Sequence, residues 1–195
     1  MVGNVGYVNQ HLNQIRAALP ELISRCGDCV VITIDGPAGS GKTTLALTLL
    51  EMGREIDSSY TIHLDELYEG WGSTMTPTLT SKLVTILESV AKDESVVFTP
   101  FNWLENCLGT PISFKPPKYL IIEGVGAGQS AIRKFVALAI WIEVPEDEGL
   151  ARVLERDGPE VAEFMPSFIE AQAAHFSKED TKKSAGYHLS GHHTV

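Results

Sequence analysis

Eight residues, Gly36-Pro37-Ala38-Gly39-Ser40-Gly41-Lys42-Thr43, satisfy the spacing G-x-x-x-x-G-K-[ST]. Gly36, Gly39 and Gly41 let the chain turn so that successive N–H groups point into one concavity, a nest for anions. A helix opening near Gly41 adds the positive end of its dipole to the same spot. Lys42 carries a mobile positive charge suited to β- and γ-phosphates, the Thr43 hydroxyl suits Mg²⁺, and Thr44 is placed for the α-phosphate. The stretch from Gly36 to Thr44 therefore reads as a P-loop nucleotide site, with Pro37, Ala38 and Ser40 as its spacer residues. A glycine-rich turn with an incidental lysine is the alternative. The apolar run before it and the amphipathic stretch after it argue against that.

Two acids stand where apolar runs end. The run at residues 60–64 leads into Asp65, which could accept a proton from an incoming hydroxyl or help to hold Mg²⁺. Capping of the following turn is the competing role. Tyr119-Leu120-Ile121-Ile122 ends in Glu123, a Walker-B arrangement that orders Mg²⁺, directly or through water. Arg152 and Arg156 lie four apart, on one helical face, with Leu150, Val153 and Leu154 on another. Arginines closing over a nucleotide would neutralise charge on the transferring group. A solvated ladder with Glu148 would contribute little.

Positioning these groups takes alternating strands and helices. Val30-Val31-Ile32-Thr33-Ile34 is too apolar for a half-exposed strand and suits the centre of a parallel sheet. Further strands are predicted at 60–64, 96–99, 119–123 and 137–144, and helices at 43–53, 80–92, 128–136 and 146–156. The expected fold is a three-layer α/β/α P-loop domain of kinase type, with a mainly parallel five-stranded sheet. Residues 1–25 read as an added helix with an apolar stripe of Val8, Leu12, Ile15, Leu19 and Leu22. Residues 100–118 hold four prolines and read as a long loop of the kind that forms binding sites. Residues 185–195 read as a frayed tail of one domain spanning 1–195.

Composition limits the partners. The chain has 195 residues, 44% of them hydrophobic, and a formal net charge of −10. That charge repels nucleic-acid backbones and anionic membranes, so neither is expected as a partner. There is no secretory signal pattern, and the longest apolar run, Phe135 to Ile142, is too short to cross a bilayer. Cys26 and Cys29 form a C-x-x-C pair with no second ligand pair and read as buried thiols, so a reduced cytoplasm fits best. A homodimer is left open.

The P-loop, H-x-D-x-x-Y from His63, a strand ending in Glu123-Gly124, and R-x-x-x-R-D from Arg152 together resemble the uridine kinase and phosphoribulokinase type of small-molecule kinase. The likeness spans about residues 30–157. It implies a kinase-type P-loop sheet, ATP as donor, Asp65 as hydroxyl-activating base, and Arg152 and Arg156 as lid residues. The IDGPAGSGKT string also occurs in cytidylate kinases. Where uridine kinases carry D-H-P-x-x-x-D, this chain reads EGWGSTMTPTLT, and Phe101-Asn102-Trp103 stands in place of a Y-D-F motif. The reaction core is kept and the acceptor pocket altered.

The leading expectation is an ATP- and Mg²⁺-dependent transfer to a hydroxyl of a small molecule, such as a nucleoside. A nucleoside monophosphate kinase would want arginines for a second phosphate, and residues 65–118 contain none. A nucleotide-dependent binding module with slow ATPase activity is the alternative from another class. Trp71 and Trp103 are placed either to stack on an acceptor ring or to plug the core. Phe164, Met165, Phe168 and Phe176 read as core positions on a helix kinked at Pro166, and His192-His193 have no partners at zinc spacing.

Overall fold

The computed structural model describes residues 4–191; His192, His193 and the Val8 side chain lie outside the described part. Along the chain run α1 (Asn4–Ala18), β1 (Val30–Asp35), α2 (Lys42–Ile56), β2 (Ser59–His63) and α3 (Pro77–Ala91). Then come four short strands, β3 (Val96–Phe98), β4 (Phe101–Asn102), β5 (Cys107–Leu108) and β6 (Ile112–Phe114). The chain continues through β7 (Tyr119–Glu123), β8 (Val136–Glu143), α4 (Glu146–Asp157), α5 (Met165–Glu179), α6 (Thr181–Ser184) and β9 (Tyr187–Ser190).

The main sheet has the order β2-β7-β1-β8-β9, with every pairing parallel. All six residues of β1 and all five of β7 are buried, as strands covered on both faces must be. Side-chain alternation divides the core in two. Val30, Ile32 and Ile34 pack with Ile15 and Leu19 from the N-terminal segment and with Leu45, Leu49 and Met52 of α2. Val31, Leu120 and Ile122 face the other way, onto Leu79, Leu83, Ile86 and Leu87 of α3 and Met165 and Phe168 of α5. Truncating one of these fully buried leucines, such as Leu83, to Ala costs roughly 2–5 kcal/mol. The result is the expected three-layer α/β/α arrangement with five strands.

The identity of the fifth strand differs from the sequence expectation. Val96–Phe98 does not join the main sheet; it pairs antiparallel with β6. The segment 100–118, expected as a loop, is instead a nested hairpin, with β4 paired to β5 inside the β3–β6 ribbon. Part of the tail expected to be frayed supplies the missing strand, β9, in register from Ile140↔Tyr187 to Glu143↔Ser190. The helix expected at 128–136 is a 3₁₀ turn, Ser130–Phe135. Pro166 falls in the first turn of α5, where its missing N–H is no loss, so it starts the helix rather than kinking it.

Cys26 and Cys29 are buried free thiols. Burial pushes their pKa values up to about 11 and about 12, far from the range of a reactive thiolate. No helix among the described residues is long and apolar enough to cross a membrane.

Candidate active site

Parallel strands bring their C-terminal ends to one edge of the sheet. There β1 leads into the loop Gly36–Gly41, β2 into Asp65, and β7 ends in Glu123. The loop turns into α2 at Gly41. The first N–H groups of that helix have no intrahelical acceptor and are available to an anion.

Backbone packing fixes the loop. Gly39 has φ +72°, and a Cβ there would lie 2.1 Å from the Gly149 carbonyl oxygen. Gly149 is glycine for the reciprocal reason, since its own Cβ would lie 2.5 Å from the Ala38 oxygen. Helix α4 thus rests directly on the loop main chain. From α5, Gln172 Oε1 accepts the Ala38 N–H at 3.1 Å. Arg152 donates from Nη1 to the carbonyls of Gly39 at 3.2 Å and Gly191 at 2.8 Å, and it pairs with Glu148 through Nη2.

Lys42 is buried, and its ammonium donates to the carbonyls of Gly36 at 2.9 Å and Pro37 at 2.7 Å. Desolvation lowers its pKa, opposed by the nearby charges of Glu123 and Asp35. Beneath the loop the buried Asp35 accepts N–H groups from Gly36 at 2.7 Å, Gly126 at 3.0 Å and Gly128 at 2.8 Å. Burial outweighs these bonds and pushes its carboxyl up to about 6.

Thr43, Glu123 and His63 form a short chain on one oxygen. Thr43 Oγ1 donates to Glu123 Oε1 at 3.0 Å, and His63 Nδ1 lies 2.6 Å from the same atom. That hydrogen bond raises the His63 pKa. Asp65 opens to the adjoining cavity. The desolvating cavity walls raise its pKa, and the negative charge of Glu123 adds to the effect.

A cavity of about 780 Å³ joins these groups. It is lined by Ala38, Gly39, Lys42 and Thr43 of the loop and helix start, by His63, Asp65, Glu123 and Arg156, and by the rings of Trp71, Trp103, Phe164 and Phe168. Gly36, Pro37, Ser40, Gly41 and Thr44 shape or flank the nest without lining the cavity. The two candidate arginines part company here. Arg156 lines the cavity, held by both carboxylate oxygens of Asp157 at 2.6 Å, whereas Arg152 does not reach it and braces the loop instead. Trp71 and Trp103 both line it while packing on each other, with ring centroids 5.1 Å apart.

No protein-family profile matches the sequence, and no curated protein matches it either. Solved structures do. A "possible uridine kinase" from Bacillus stearothermophilus superposes with a TM-score of 0.68 at 17% identity, over 94% of this chain and 99% of that one. A "putative fructose transport system kinase" from Silicibacter sp. TM1040 gives 0.62 at 18% identity, over 91% and 98%. The chain shares the α/β fold of these two structures, a parallel five-stranded sheet flanked by helices. In this fold the loop-bearing strand β1 lies centrally, Glu123 arrives from its neighbour β7, and Asp65 follows β2 on the far side of β7.

Among the described residues no group of three or more His, Cys, Asp or Glu side chains could hold a metal ion by itself. Mg²⁺ takes one or two protein oxygens and completes its shell with phosphate and water. Thr43, Asp65 and Glu123 all line the cavity beside the nest and supply oxygen donors of the right hardness.

Sequence reasoning assigned no role to His63, Gly149, Gln172 or Asp35. The partners lie far away in the chain. His63 and Glu123 are 60 residues apart, and Gln172 is 134 from Ala38. Only Asp35, directly before the first glycine of the loop, was within reach of a local reading.

Proposed function

We propose that the protein is an ATP- and Mg²⁺-dependent phosphotransferase that acts on a hydroxyl of a small molecule. The observation carrying this reading is that the nest, its lysine and the carboxylates of Asp65 and Glu123 line one cavity together with Trp71, Trp103, Phe164 and Phe168. Two similar structures bear kinase names, which agrees with it.

In this reading the amides of the first turn of α2 and the Lys42 ammonium hold the β- and γ-phosphates of ATP. Lys42 exchanges the Gly36 and Pro37 carbonyls for phosphate oxygens. Thr43, together with Asp65 or Glu123, would hold Mg²⁺, which would supply positive charge against the phosphates. Asp65 orients the acceptor hydroxyl and takes its proton. Its raised pKa moves it closer to the working range of a general base. Arg156 offsets charge developing on the transferring group, and Arg152 acts indirectly by holding the Gly39 carbonyl. Most of the acceleration comes from position and fixed charge.

A phosphorylated acceptor fits poorly, because among the described residues Lys42 and Arg156 are the only Lys or Arg lining the cavity. The test is acceptor-dependent ADP release over a panel of nucleosides, sugars and vitamin alcohols, with Lys42→Ala as the blank. Release that rises with one class of alcohol and vanishes in the blank supports the reading. ADP release indifferent to every alcohol, or the same in the blank, overturns it.

A further inference from the structure

We propose that the accepted alcohol is a cation, with a quaternary or protonated nitrogen carried on a flat or apolar frame. This rests on the phosphotransferase reading above and narrows it to a substrate class. Part of the cavity wall is aromatic. Trp71 stacks on Phe164 with centroids 5.0 Å apart and planes 3° apart, and meets Trp103 at 60° and Phe168 at 85°. All four residues also line the cavity, and aromatic rings are the partner that ammonium and ring cations prefer. The only protein cation seated over an aromatic ring among the described residues is Lys134, over Phe135, which is not a lining residue.

Charge points the same way. Five acids line the cavity (Asp65, Glu123, Asp157, Glu160 and Glu163) against two Lys or Arg residues, Lys42 and Arg156. In the reading above Lys42 and Arg156 serve the phosphates, and neither pairs with Glu160 or Glu163. Glu160 and Glu163 line the cavity together with Val161 and Phe164, and neither makes an ion pair or side-chain hydrogen bond among the described residues. Both carboxylates are also exposed to solvent, and an anionic acceptor would meet their repulsion. A cationic one is drawn in by the field and held by the rings.

Calorimetric titration, in the presence of a non-hydrolysable ATP analogue, tests this with three matched probes. These are a hydroxymethyl-N-methylpyridinium, its uncharged methylbenzyl alcohol isostere, and hydroxymethylbenzoate. The pyridinium should bind about tenfold or more tighter than the isostere, and the benzoate weakest. Glu160→Gln combined with Glu163→Gln should erase most of that preference, with affinity for the ATP analogue as the control for folding. Equal or weaker binding of the pyridinium, or a preference that survives the double substitution, overturns the inference and leaves the phosphotransferase reading standing. Failure of the wild type to bind the ATP analogue ends both.

Discussion

The indole Nε1–H of Trp103 donates to the main-chain carbonyl of Asp65 at 3.0 Å. One hydrogen bond therefore ties the aromatic wall of the cavity to the carboxylate proposed to activate the acceptor. Trp103→Phe keeps a ring and removes the donor, a loss of about 1 kcal/mol in the setting of Asp65. Turnover should fall several-fold with ATP affinity unchanged, whereas Trp103→Ala should also raise the KM for the acceptor. Steady-state kinetics on the two variants separates these effects. If Trp103→Phe equals the wild type in kcat, the bond does not position Asp65.

Lys42→Ala and Asp65→Asn should fail in different ways. The first removes the charge from the nest and should abolish both transfer and tight ATP binding. The second is nearly isosteric and should retain ATP binding while losing roughly 10²–10⁴-fold in turnover, the usual scale for a general base. Nucleotide titration and single-turnover transfer distinguish the two. Normal turnover in Asp65→Asn would remove the base assignment.

The P-loop was legible in the sequence because its chemistry is local: nine consecutive residues hold the turn, the charge and the helix start. The strands β1, β7 and β8 were legible because burial on both faces demands unbroken apolar runs. β9 was not. Its residues alternate between half-buried and exposed, and Tyr187-His188-Leu189-Ser190 becomes a strand only because the edge of β8 is there to pair with. The opposite happened at Val96–Phe98, whose apolar character looked like a sheet strand but is satisfied against β6. Arg152 and Arg156 show the same limit at the site. Both lie on one helix at i and i+4 spacing, yet one braces the loop and the other lines the cavity, a difference set by neighbours more than 30 residues away.

That difference predicts distinct losses. Arg152 has a partly buried guanidinium bonded to two main-chain carbonyls, so Arg152→Ala should cost about 2–3 kcal/mol. For a chain of this size that is a fall in Tm of roughly 4–12 °C. Weaker ATP binding should accompany it, because the Gly39 carbonyl is released. Arg156→Ala should leave Tm nearly unchanged and cut kcat at least about tenfold. Melting curves paired with kinetics on each variant check this. A stable Arg152→Ala with lost turnover would return that residue to the lid.

Asp35 gives the fold a pH-dependent component of known sign. Its pKa rises from 3.8 to about 6 on folding, so between those values the native state holds a proton that the unfolded chain has released. Its contribution to stability is fully present below 3.8, declines as pH rises, and is gone above about 6. Asn does not titrate, so the stability of the wild type relative to Asp35→Asn should fall between pH 4 and pH 6 and then level off. Urea unfolding of both proteins across pH 4–8 measures this difference directly. The absolute offset reflects the three N–H groups that the carboxylate accepts, since the amide oxygen of Asn cannot satisfy all of them. A difference that rises with pH across this window would mean that the three hydrogen bonds outweigh burial and hold Asp35 ionised.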